Sequence, residues 1–247
     1  MIEIDIPARR NQMGLSLIDW ASSDQMSHQV LSSSWHFLSG LPAADVNLAM
    51  IHDNDEKALI DIKNAIDRMA IPALVMLADK GKGLSESLGG NWTNVGVLPF
   101  MFLDLEAHQQ QSDKRVRRAV ADDIEEVISL LADSFELDRN IVRVIADVLK
   151  NPVAISKIWI LEEGGQAVST VTTIRVEDAV AVWCMATPPK FARKGYGRAL
   201  LGASLAQYQS DGAKIGLLGA TEAGKPLYDS AGWQTLEEWD IYLDIPK

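Results

Sequence analysis

Val182-Trp-Cys-Met-Ala-Thr-Pro-Pro-Lys-Phe-Ala-Arg-Lys-Gly-Tyr-Gly-Arg-Ala-Leu-Leu201 carries an apolar strand into a loop, and two glycines, Gly195 and Gly197, open a helix. Glycine lets a backbone approach a phosphate closely, and the free N–H groups of a first helical turn point at it. The helix dipole and the cations Arg193, Lys194 and Arg198 add positive potential. A pyrophosphate is the expected guest. A dinucleotide fingerprint would need a third glycine where Leu200 stands, and no GK[ST] follows four spacer residues as a Walker loop requires. Taken alone, the segment is equally compatible with a plain strand-to-helix turn.

Working outward, the helix from Gly197 to about Gln209 is stopped by Gly212. A strand at Lys214–Gly219, a helix around Pro226–Ala231 and an alternating strand at Trp239–Ile245 follow. Upstream, Val116–Val120 reads as a short strand. Asp122 reads as an N-cap with Glu125 in the first turn. Ile124, Val127, Ile128, Leu131 and Phe135 recur at helical spacing, and a second helix spans Arg139–Leu149 up to Asn151-Pro152. Strands are expected at Ile155–Leu161, Ala167–Ile174 and Ala179–Thr187, with turns at Glu162–Gly165 and Val176–Asp178. Hairpin strands before a β-loop-α-β crossover make this α/β with a mixed central sheet and flanking helices.

This order resembles the GNAT superfamily of acyl-CoA-dependent N-acyltransferases. Thr187-Pro-Pro-Lys-Phe-Ala-Arg-Lys-Gly-Tyr-Gly197 matches that family's upstream proline and both glycines of [Q/R]xxGx[G/A]. Ala192 departs from it, standing where Gln or Arg is usual. Leu227-Tyr-Asp-Ser-Ala-Gly-Trp233 resembles the family's LYxxxGF at the usual distance. Together the matches cover residues 115–247.

The resemblance implies acetyl-CoA as co-substrate and direct transfer of its acyl group to a primary amine of a small molecule or peptide. Met185, Ala186 and Thr187 would pair with the pantetheine arm. Ala192, Arg193, Lys194, Gly195, Tyr196, Gly197 and Arg198 would hold the pyrophosphate. Tyr228 matches the family's frequent general acid, a phenol suited to donating a proton at neutral pH. The base is open: Glu177, Asp178 and Glu222 are the candidates, with a water chain as the alternative. Cys184 reads as core rather than nucleophile. Residues 115–247 contain no histidine, which disfavours a Ser-His-Asp hydrolase. Trp159, Trp183 and Trp233 are core or pocket-lining. A CoA-binding sensor without turnover, and a nucleotide-binding protein using the same loop, are the competing functions.

The N-terminal half reads as a worn copy. Ile71-Pro-Ala-Leu-Val-Met-Leu-Ala78 and Gly83-Leu-Ser-Glu-Ser-Leu-Gly89 resemble the later strand and Pro226–Gly232, and Phe102-Leu-Asp-Leu105 parallels Tyr242-Leu-Asp-Ile245. An Ala44–Ile51 strand and a Glu56–Met69 helix precede them. Where the glycine loop belongs stands His52-Asp-Asn-Asp-Glu-Lys57, whose carboxylates repel a pyrophosphate, and Ser85 replaces the tyrosine. Lys80–Gly83 reads as a turn. Two related domains in tandem are therefore expected: 1–106, a linker at 107–114, and 115–247.

Net charge of −11 argues against a nucleic-acid surface. The acid excess keeps a protein soluble, or attracts cationic molecules weakly. The start MIEIDIPARR lacks an apolar leader and no apolar run reaches membrane-spanning length, so no membrane partner is expected. One cysteine fits a reducing cytoplasm. Four scattered histidines give no metal-ligand spacing, so no metal is expected. A homodimer is compatible with the sequence and not required by it.

Overall fold

A computed structural model describes residues 4–21 and 26–246; Met1–Glu3, the head of the MIEIDIPARR stretch, lie outside it. The elements begin with helix α1 (Ile6–Leu15), strands β1 (Ser27–Val30), β2 (Ser34–Leu38) and β3 (Asn47–Ile51), helix α2 (Glu56–Met69) and strands β4 (Ala73–Leu77) and β5 (Thr93–Asp104). Next come β6 (Val116–Arg118), helices α3 (Ile124–Phe135) and α4 (Arg139–Ala146), and strands β7 (Lys157–Glu163), β8 (Gln166–Val176) and β9 (Ala179–Ala186). Helix α5 (Tyr196–Ser210), β10 (Ile215–Gly219), α6 (Lys225–Ser230) and β11 (Gln234–Asp244) complete the order.

The chain divides into two compact units, Glu3–Phe100 with Thr235–Lys247, and Met101–Gln234. The division differs from the expected 1–106 and 115–247. Strand β11 pairs antiparallel with β4, from Asp240 opposite Leu77 to Asp244 opposite Ala73, so it belongs with the N-terminal unit. It also begins at Gln234, five residues before the alternation at Trp239 announced it. Strand β5 passes from the first unit to the second at Phe100/Met101.

The first unit orders its strands β1-β2-β3-β4-β11-β5. Strands β1, β2 and β3 are antiparallel, and β3 and β4 are parallel across the α2 crossover. Helix α2 forms because Leu59, Ile62 and Ile66 recur on one face, and all three are buried in a cluster with Ile51, Val75 and Leu77. Helix α1 lies on the opposite face, where Gly14 admits the Trp35 ring: a Cβ there would sit 2.5 Å from Trp35 Cγ. Asn47, fully buried, ties the entrance of β3. Its Oδ1 accepts from Ser39 N (2.9 Å) and its Nδ2 donates to Leu41, Ala43 and Pro72 carbonyls at 2.8–2.9 Å. That demand explains why β3 starts at Asn47 after a 3-10 turn at 44–46, rather than at Ala44. Lys80–Gly83, expected as a turn, lies in a 3-10 helix over Asp79–Leu84.

The second unit orders its strands β5-β10-β9-β8-β7-β6. Again three antiparallel strands, β7 to β9, lead into a parallel pair, β9 and β10, across the α5 crossover. Its core packs Trp159, Val171, Val180, Leu200, Leu205, Tyr208 and Trp233. Boundaries shift locally. Strand β7 runs through Glu163, leaving Gly164 and Gly165, both with positive φ, to turn the hairpin. Helix α4 stops at Ala146 and finishes as a 3-10 turn through Lys150. The carboxylate before α3 that works is Asp123, not Asp122. Asp123 accepts from Val120 N at 2.7 Å and binds both Arg117 Nη atoms at 2.7 and 2.8 Å.

Candidate active site

Strand β9 is interrupted where the sequence reads as plain apolar strand. Thr172 pairs with Trp183 but Thr170 with Ala186, so three steps on β9 oppose two on β8. Cys184, at φ +48°, takes up the extra residue as a β-bulge. On its other side, β9 pairs with β10 only from Ala179 to Ala181. Past Ala181 the parallel strands part, and the wedge between them is bordered by half-buried Trp183, Cys184 and Met185. Trp159 and Trp233 are core, whereas Trp183 stands at this wedge.

The loop after β9 is shaped by its own hydrogen bonds. Phe191 N donates to Pro188 O (2.8 Å) and Ala192 N to Pro189 O (3.1 Å). Arg193 and Gly195 then adopt left-handed φ of +62° and +81°. The first bond of α5 runs from Ala199 N to Gly195 O (3.0 Å), and no side chain caps the helix. The N–H groups of residues 196–198 therefore lack helical acceptors. At Gly197 a Cβ would lie 2.9 Å from the flexible end of Met185 (Cε) and 3.4 Å from Thr187 Oγ1, so glycine keeps the mouth of the loop clear. Buried Ser169, which sequence reasoning passed over, fixes this exit. It donates to Ala186 O at 2.9 Å and lies 2.7 Å from Thr187 Oγ1. Its strand also carries Thr170, Thr172 and Thr173, so no sequence pattern singles Ser169 out.

The cations divide into two groups. Arg193 and Lys194 are exposed and make no ion pair among the described residues. Arg198 differs from the expectation: its guanidinium binds Ser230 O (3.0 Å) and Ser230 Oγ, joining α5 to the end of α6. Tyr196 packs beneath Arg115, 5.9 Å from ring centre to guanidinium.

Tyr228 projects from α6 and is 8% exposed. Its ring meets Trp233 edge-on at 5.8 Å, and its hydroxyl donates to Met185 Sδ at 3.7 Å. Tyr228 thus reaches the wedge beside the bulge. Burial, reinforced by Cys184, pushes its pKa up to about 12.

A profile of the acetyltransferase (GNAT) domain matches residues 115–236. Through those residues, the chain belongs to the GNAT acetyltransferases. A GCN5-related N-acetyltransferase from Kribbella flavida shares the fold at TM-score 0.68 and 17% identity, over 97% of this chain and 94% of that one. A functionally unknown conserved protein from Staphylococcus epidermidis is similar at TM-score 0.64 and 13% identity, covering 92% and 96%. A GCN5-related N-acetyltransferase from Sphaerobacter thermophilus gives 0.59 and 12%, covering 98% and 91%. No curated protein matches the chain in sequence.

Within the GNAT domain the candidate bases Glu177 and Glu222 are treated differently. Glu222 is exposed in the loop from β10 to α6, the loop that leads to Tyr228. Glu177 turns β8 into β9 at φ +55°. It lies eight residues from Met185, about 25 Å along an extended strand, so it is not brought to the wedge. The helix after the corresponding crossover strand of the first unit is closed by its own chain. Asp55 caps α2, accepting from Ala58 N at 2.9 Å and Ser33 Oγ at 2.7 Å, and these bonds hold its pKa below the usual carboxylate value. The GNAT domain leaves that place open. Among the described residues no group of three His, Cys, Asp or Glu could hold a metal ion, and no helix is long and apolar enough to cross a membrane.

Proposed function

We propose that the protein transfers the acetyl group of acetyl-CoA, or a related acyl group, to a primary amine of a small molecule or peptide by direct attack. The observation that carries this reading is the wedge between β9 and β10 with the Tyr228 hydroxyl at its side. The pantetheine arm would run along Met185, Ala186 and Thr187 in place of the missing β10 pairing. The pyrophosphate would sit on the N–H groups of Gly195–Arg198, with Ala192 contributing backbone and Arg193 and Lys194 charge. A cradle of backbone donors tolerates Ala192, because the donors do not depend on side-chain type. Arg198 acts through its bond to Ser230 and holds α6 in place.

In the reaction the neutral amine nitrogen forms a bond to the thioester carbonyl carbon, and collapse of the tetrahedral adduct breaks the C–S bond. Tyr228 gives its proton to the departing thiolate, and the nitrogen loses one to solvent through Glu222. The high pKa of Tyr228 keeps the phenol protonated at neutral pH, which suits a donor. The N-terminal unit is a related copy with its phosphate site closed by Asp55, so one acyl donor is bound per chain. We place the reaction in the cytoplasm.

The test is release of free thiol from acetyl-CoA across a panel of small and peptide amines, alongside thermal shifts. Amine-dependent thiol release supports the transferase. A shift with acetyl-CoA and no release from any amine supports a sensor instead. A shift with ATP or NAD but none with CoA compounds overturns the reading.

A further inference from the structure

The first unit holds a polar cavity of about 320 Å³ between β1, β2 and α2. Strand alternation sends Trp35 and Phe37 to the α1 face, where they meet Gly14 and Trp20. Ser34 and His36 consequently face α2. Ser34 is 2% exposed, lines the cavity, and its hydroxyl has no hydrogen-bond partner among the described residues. The hydroxyl is open to the cavity rather than sealed away from it, so a ligand oxygen placed there would be within its reach. His36, 8% exposed, holds its Nε2 2.8 Å from Ser27 Oγ. Burial, with His28 nearby, lowers its pKa to about 4, so the floor is uncharged near neutral pH.

On the wall supplied by α2, exposed Arg68 lines the cavity and forms no ion pair among the described residues. Asn64, one turn earlier, lines it too. Asp61, the one carboxylate of the wall, is engaged by Lys57 at 3.0 Å. The cavity therefore combines space, a neutral hydrogen-bonding floor and an uncommitted guanidinium at its rim.

We propose that this cavity is a second ligand site, for a small hydroxylated carboxylate. The carboxylate would take the Arg68 fork at the rim, and a ligand hydroxyl would reach Ser34 and His36 on the floor. The site lies outside residues 115–236 and is independent of the acetyl transfer proposed above.

The experiment is calorimetric titration of the intact protein at pH 7 with lactate, malate and gluconate, each beside its unhydroxylated carboxylate (propionate, succinate, hexanoate). The expected result is saturable one-to-one binding of at least one hydroxy acid, tighter than its unhydroxylated partner. Arg68→Gln should weaken it at least about tenfold, the loss expected for a hydrogen bond to a charged group. Ser34→Ala should remove the preference for the hydroxyl. Ala65→Phe, at the cavity wall, should abolish binding while the protein keeps its melting temperature within a few degrees and its acetyl-CoA thermal shift. No binding of any probe at 20-fold excess over about 1 mM overturns the proposal, given that such a site should reach that affinity. Binding untouched by both Arg68→Gln and Ala65→Phe overturns it as well.

Discussion

Arg10 and Glu237 are joined side by side, Arg10 Nε reaching Glu237 Oε1 at 2.6 Å and Nη2 bonding Oε2, with the arginine side chain 4% exposed. Trp239 Nε1 donates to the same Oε1 at 2.7 Å, and Asp79 lies 3.4 Å from Nη1. The pair fastens α1 to β11 inside the first unit. Removing Glu237 leaves the buried guanidinium only the longer contact to Asp79, and removing Arg10 leaves the Glu237 carboxylate without its cation. Glu237→Ala is expected to destabilise by roughly 3–5 kcal/mol, and Arg10→Met with Glu237→Leu together by clearly less than the two single changes summed. A double-mutant cycle by urea unfolding measures the difference.

Gly197→Ala sets two effects against each other. Alanine favours the helix by up to about 1 kcal/mol, while the new methyl pushes on the flexible end of Met185. The melting temperature should move by only a few degrees. Binding should not escape so lightly, because the methyl stands at the mouth of the N–H cradle. The acetyl-CoA Kd is expected to rise about tenfold or more in calorimetry.

Tyr228→Phe keeps the ring against Trp233 and loses only a weak bond to a thioether. Stability should change by less than about 1 kcal/mol. As the proton donor, its loss should lower kcat by about 10²–10⁴-fold with KM for acetyl-CoA nearly constant. Equal losses in both constants would reassign Tyr228 to packing.

Stability should fall in alkali between pH 10 and 12. Burial raises both Tyr208 and Tyr228 to about 12, against about 10 in an unfolded chain. In that window the unfolded chain has released protons that the folded protein retains, so each tyrosine removes about 1.4 kcal/mol of stability per pH unit. The contribution is fully present below pH 10. Chemical unfolding from pH 9 to 12 should show a shallower slope in Tyr208→Phe and in Tyr228→Phe.

Glu222→Gln separates the candidate bases. Loss of kcat by about 10²-fold is expected if the nitrogen's proton leaves through Glu222. Glu177→Gln should match the unaltered enzyme within about twofold.

Much of this was legible in the chain itself. Periodicity located α2, α3 and α5, because one apolar face per helix is a local signature. The glycine loop announced itself through Gly195 and Gly197. The bulge at Cys184 did not, since Val182-Trp-Cys-Met-Ala186 reads as unbroken strand and the extra residue exists only relative to β8. The alternation in β11 marked Trp239 as buried but missed that Asp244 is buried while Ile245 is exposed, and it did not show which neighbour the strand joins, because pairing partners are distant in sequence. Arg198 looked like a phosphate ligand by composition, and only the position of Ser230 showed where its guanidinium is spent. Exposed carboxylates such as Glu177 and Glu222 carry no pattern that tells a base from a solvated turn.

The strand order of the first unit has a consequence during synthesis. Its seat between β4 and β5 is taken by β11, made after every residue of the second unit. A nascent chain displaying the first hundred residues therefore presents β4 with an open backbone edge, which invites pairing with a neighbouring chain. The earlier-made unit is the later to close, and a strand made only after the second unit decides whether β4 is protected.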